Sequence, residues 1–142
     1  MRHDNLIYVL LKKYPAAVHG QDFWVGHPIN RTTGEQSGAP FIMDWRLENT
    51  SMPTSEDIAD LWQQYGEEAL AYEFSTNARA QRDALLLELD SIVNNPLRFT
   101  SFEAVEQSSL AEYRQALLDV PQQAGFPNAI DWPKKPECIA RA

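Results

Sequence analysis

The residues with the most chemistry to offer in this chain are three histidines, one cysteine and a few paired acids. His19 and His27 flank Asp22, but the spacing fits no zinc or iron motif and brings no clear further ligand. His3, His19 and His27 therefore read as surface or loop histidines. Glu56-Asp57, Glu67-Glu68 and Glu88 with Asp90 are pairs of carboxylates on helical stretches. Adjacent helical residues diverge by about 100°, so these pairs read as solvated helix surface rather than as acid–base machinery. Gly20, Gly26, Gly34 and Gly38 have no phosphate-binding spacing, and Ser108-Ser109 lacks the setting of a nucleophile. Cys138 has no partner for a disulfide and no neighbouring base, which leaves it an incidental thiol near the end of the chain. The expectation is no catalytic residue, no metal and no cofactor.

Composition narrows the classes further. With 142 residues, 44% of them hydrophobic and 11% aromatic, the chain is rich enough to build a core and is not a disordered polymer. A net charge of −8 disfavours nucleic acid and anionic membrane as partners, because both require basic surface. The apolar run from Leu6 to Leu11 is too short to span a bilayer and closes on Lys12-Lys13 without a cleavage site, so the cytoplasm is expected. Two sequons, at Asn30 and Asn49, then read as chance.

The elements follow from periodicity. Asp4 is placed to cap a first helix bearing Leu6, Ile7, Leu10, Leu11 and Tyr14, which Pro15 stops. Asp22-Phe23-Trp24-Val25 and residues 41–47 predict two strands, antiparallel because no helix joins them. In the second, Phe41, Met43, Trp45 and Leu47 alternate with Ile42, Asp44 and Arg46, the period of a half-buried strand. Residues 26–40 predict a long, polar and mobile hairpin loop.

Thr54 caps a second helix with Asp57 at its third position and a stripe of Ile58, Leu61, Trp62, Tyr65, Ala69 and Tyr72. Phe74-Ser75-Thr76-Asn77 predicts a kink or short break. Helix resumes from Ala78 to Val93 with Arg82, Leu85, Leu86, Leu89 and Val93 on one side. Thr100-Ser101-Phe102-Glu103 reads as a capping box for a last helix to about Asp119. Its stripe is Phe102, Val105, Ser109 or Leu110, Tyr113, Ala116 or Leu117, and Val120. The fold class is α+β: a short N-terminal helix and a small antiparallel β-hairpin, then two or three longer helices and an extended tail. The expected divisions are residues 1–50, 51–120 and a proline-rich 121–142. Trp24, Trp45 and Trp62 read as core. Trp132, between Asp131 and Pro133, either folds back on its own domain or anchors a partner.

Two stretches resemble the bacteriophage tail assembly chaperones. One is Ala80-Gln81-Arg82-Asp83-Ala84-Leu85-Leu86, an Arg-Asp pair before a leucine run and a later acid, here Asp90. The other is Tyr113-Arg114-Gln115-Ala116-Leu117 with its Val120-Pro121 exit and the Phe126-Pro127 and Trp132-Pro133 tail. The chain departs from the family pattern at Ser91 and Leu110, where tryptophan is frequent. The N-terminal half is similar in layout to small prophage tail proteins, with Lys13-Tyr14-Pro15, Asp22-Phe23, Trp45 and Pro53-Thr54 in order.

The resemblance implies a tail or tail-fibre assembly factor without catalysis or cofactor, acting in the host bacterial cytoplasm. Its partner would be a phage tail or tail-fibre protein, with shielding of apolar client surface as the mechanism. The expected contact set is Arg82, Leu85, Leu86, Leu89, Tyr113, Arg114, Leu117, Phe126 and Trp132. Leu85, Leu89 and Leu117 serve equally well to hold helix to helix. The stripe from Ile58 to Val93 either packs within the chain or forms the seam of a homo-oligomer. Two other functions fit the same features: a structural tail or baseplate component kept in the virion, and a small acidic inhibitor of a host protein.

Overall fold

The structure is a computed structural model and describes residues 1–141; Ala142, the last residue of the predicted tail, lies outside it. The element order is α1 (His3–Lys13), β1 (Phe23–Gly26), β2 (Phe41–Trp45), α2 (Ser55–Val93), α3 (Pro96–Phe99) and α4 (Ala104–Asp119). Single 3-10 turns follow at Val120–Gln122 and Glu137–Arg141. The class is α+β, with the predicted helix, hairpin and long helices in sequence. Two compact units divide after Glu73, inside α2.

In the first unit, Leu6, Val9 and Leu10 of α1 pack with Phe23 and Val25 of β1 and with Leu61 and Ala69 of α2. A two-stranded hairpin cannot stand alone, and here both helices contribute to the core that one of its faces joins. The α1 start differs from expectation. The helix begins before Asp4, and it is Asn5 that reaches back, accepting from the Arg2 N–H at 3.0 Å. Asn5 is buried, and its amide also donates to Glu73 Oε2 at 2.9 Å, so both ends of this buried group are satisfied.

The alternation predicted for β2 is broken. Phe23 pairs with Trp45 and Trp24 with Asp44, but Val25 pairs with Ile42, which leaves Met43 as an extra residue in a bulge. Beyond the bulge the phase inverts. Trp45 and Ile42 pack on the core, while Phe41 and Met43 are exposed. Gly26 makes room for this arrangement, since a Cβ there would stand 2.5 Å from Met43 Sδ. Trp24 is half-buried rather than core, with the Arg46 guanidinium 4.4 Å from its ring centroid. The hairpin loop is organised by an inner bridge, Ile29 to Gln36, and by Asn30, whose side chain accepts from the Thr32 N–H at 2.9 Å.

Helix α2 starts as its sequence requires. Thr54 Oγ1 accepts from the Asp57 N–H at 3.1 Å, and Asp57 Oδ2 accepts from the Thr54 N–H at 2.8 Å. The expected break at residues 74–77 does not occur, and the helix runs for 39 residues. Weak helix formers cost only a few tenths of a kcal/mol each. Against that, Ala78 is buried one turn on, and the Arg79 side chain hydrogen-bonds Ser75. The apolar stripe is used within the chain, by Leu61 and Ala69 in one core and by Leu89 and Ile92 in the other.

The second unit packs Leu89 and Ile92 of α2 against Leu110, Tyr113 and Leu117 of α4. The start of α4 also shifts. Thr100 closes α3 by donating its hydroxyl to the Pro96 carbonyl at 2.8 Å, and Glu103 becomes the α4 N-cap, its N–H bonded to Glu106 Oε2 at 3.1 Å. Among the described residues the C-terminal segment carries no strand. Its last turn buries Cys138 and Ile139 in the unit's core, so Cys138 is a small apolar core residue and not an incidental thiol.

Candidate functional site

Helix α4 presents two neighbouring faces. Leu110, Tyr113 and Leu117, spaced by three and four, form the core face. Val105, Ser109, Glu112 and Ala116, spaced by four, three and four, form the other. Between that second face and the segment Pro133-Lys134-Lys135-Pro136-Glu137-Cys138 lies an open groove of about 570 Å³. Structure thus resolves both alternatives left by the helical pattern: Leu110 and Leu117 go to the core, and Ser109 and Ala116 to the groove. Val105, predicted on the core stripe, is 72% exposed at the groove's edge because it stands about 140° round the helix from Leu110.

Pro133 and Pro136 shape the far wall. Proline lacks an N–H, so these positions cannot donate to a neighbouring strand, and the wall stays available to side chains. Lys135 pairs with Glu88 of α2, which fastens this wall to the helix behind it. Tyr113 sits at the junction of core and groove. Burial raises its phenol above the ordinary value, opposed by the Lys135 charge and reinforced by Glu88, so it remains a neutral hydroxyl.

The predicted contact residues other than Tyr113 fall into three groups. Leu89 and Leu117 are fully buried, and Leu85 and Leu86 pack half-buried at the edge of the same core. Arg82 is held by its neighbour Asp83 at 2.6 Å, and Arg114 by Asp90 at 3.3 Å, the acid expected to follow the leucine run. Phe126 is half-buried with the Arg79 guanidinium 5.1 Å from its ring centroid, and Trp132 is half-buried. Only Tyr113 lines the groove.

The exposed apolar side chains of this unit include others that the pattern did not single out: Leu87 at 74%, Leu97 at 86% and Leu118 at 37%. The usable signal was an apolar residue off the stripe. Leu87 stands between Leu86 and Leu89 on the wrong side of α2, and Leu118 does the same beside Leu117. In the first unit the three histidines, expected as surface or loop residues, are half-buried, and the His19 and His27 rings each meet the His3 ring edge to face. Among the described residues no group of histidine, cysteine or acid is placed to hold a metal ion, and no helix is long and apolar enough to cross a membrane.

Residues 75–137 match the family model described as phage tail assembly chaperone protein, and residues 6–70 match the one described as XkdW protein. No curated protein and no solved structure matches the chain. The first match covers the α2 leucine run, α4 and the groove wall up to Glu137.

Proposed function

We propose, from the match of residues 75–137 to the phage tail assembly chaperone family, that this chain shields apolar surface of a tail or tail-fibre subunit before assembly, without catalysis, in the host cytoplasm. Tail subunits expose apolar surface and unpaired strand edges until they trimerise or stack, and such surfaces aggregate. The groove beside α4 is the observation that carries this reading. It is open, partly apolar, and bordered by the exposed Val105. The buried leucines then act as scaffold: they hold α4 at the angle that opens the groove, while Val105 and Ala116 offer contact area. A net charge of −8 keeps a complex with a sticky client in solution.

Co-expression with the neighbouring tail genes tests the proposal. The wild-type chain is expected to raise the soluble fraction of one tail protein, and Val105→Glu to abolish most of that gain. The variant should fold normally, because Val105 is 72% exposed and an acid in the first turn of a helix is favourable. Failure to solubilise any tail protein would sink the reading. So would recovery of this chain at stoichiometric levels in purified particles, which would mark it as a component of the finished tail.

A further inference from the structure

The three histidines come from three segments of the first unit: His3 opens α1, His19 precedes β1 and His27 follows it. Their rings meet edge to face around His3, with centroids 4.8 Å apart for His3 and His27 and 6.0 Å for His3 and His19. One β1 residue bonds to two of them. The Val25 N–H donates to His19 Nε2 at 3.3 Å, and the Val25 carbonyl accepts from His3 Nε2 at 3.2 Å.

We propose that His19, packed against the His3 ring, is a proton-sensitive clasp on β1, which holds the Val25 amide at neutral pH and lets it go when the ring takes up a proton. The bond from Val25 needs a lone pair on His19 Nε2, so neutral His19 carries its hydrogen on Nδ1. A proton added at Nε2 sets donor against donor and removes that bond. It also creates a cation beside His3, whose two ring nitrogens face acceptors, the Asp4 carboxylate at 2.8 Å and the Val25 carbonyl. His27 Nδ1 is buried with no hydrogen-bond partner among the described residues.

Arg2 just before α1, Asp4 of α1 and Glu35 of the hairpin loop border a cavity of about 570 Å³ together with His3 and His27. Arg2 is turned to Glu73 of α2 at 3.3 Å, and Asp4 is engaged by His3. Burial holds the His19 imidazole below its ordinary value, with His3 acting in the same direction and Asp4 against it. A group whose folded pKa is lowered binds its proton more weakly folded than unfolded. Its stabilisation is therefore complete above about pH 6.5, the unfolded value, and is lost as the pH falls through the lower folded value. The clasp lies in the first unit and stands independently of the client-binding groove.

Nitrogen-15 NMR of the full chain, with EDTA present, tests it. His19 is expected as the Nδ1–H tautomer at about pH 7.5. Protection of the Val25 amide, corrected for intrinsic exchange, is expected to fall at least about fivefold by roughly pH 5.5, while that of Leu89 changes less than about twofold. In His19→Gln, whose amide oxygen accepts at either pH, Val25 protection should stay level. An Nε2–H tautomer at neutral pH, a Val25 protection that ignores pH, or an equal fall in the glutamine variant overturns the proposal. The tautomer and the wild-type pH series need no variant, so they decide the matter even if H19Q folds poorly.

Discussion

Leu117→Ala separates scaffold from contact surface in the second unit. Leu117 has no exposed area and packs in one cluster with Leu89, Leu110, Tyr113 and Ile139. The substitution removes three carbons, worth about 0.8 kcal/mol each in transfer, or roughly 2.4 kcal/mol together. The surrounding residues cannot close fully on the void, because α4 is also held by the Arg114–Asp90 pair. A cavity contribution therefore adds to the transfer loss, and the total should reach about 3 to 4 kcal/mol. For a chain of this size that corresponds to a fall in Tm of roughly 10 °C. Urea unfolding followed through amide signals of α4 reads it directly, without assuming that both units unfold together. Leu87→Ala is the control: at 74% exposure it should change stability by less than about 0.5 kcal/mol. If L117A unfolds at the wild-type urea concentration yet no longer keeps a client soluble, Leu117 is a contact residue and the core described here is wrong.

Two further perturbations test the local arguments. Asn5→Ala leaves Glu73 and the Arg2 N–H without the bonds that the buried amide supplies, and should cost the first unit about 1 to 3 kcal/mol in denaturant titration; a neutral result would mean water replaces Asn5 at no cost. Gly125→Ala would put a Cβ 2.1 Å from the Ala129 carbonyl oxygen, so the turn must open and the reciprocal bonds between Gln123 and Asp131, both at 2.8 Å, should break. NMR shift changes confined to residues near 125, with those at Gln123 and Asp131 unmoved, would show that the turn tolerates the methyl.

Much of the architecture is local and was legible in the residues. Thr54 and Asp57 mark the start of α2 because the capping bonds join residues three apart, and Leu6, Leu10 and Leu61 are core because their spacing matches the helical repeat. The α2 leucine run and the Tyr113–Leu117 helix carried the family likeness on the same terms. Where the pattern misled, the deciding interaction came from elsewhere in the chain or from a change of phase. One bulged residue, Met43, reversed the inward face of β2, and periodicity has no means of registering an insertion in a strand pair. Residues 74–77 stay helical although their own preferences are weak, since a buried Ala78 holds the next turn in place.

The candidate site belongs mostly to that second category. Composition established that acid and aromatic side chains are plentiful and that no metal or nucleophile motif is written in the spacing. It could not say that Val105 and Ala116 line a groove while Leu110 and Leu117 do not, because apolar residues spread round a helix read alike until the fold covers one side of it. Nor could it bring His3, His19 and His27 together across 24 positions of chain. Local hydrogen bonding and helical period act over three or four residues and are carried by the sequence itself. Which face is covered, which ring meets which, and where Cys138 comes to rest depend on long-range packing, and only the folded chain decides them.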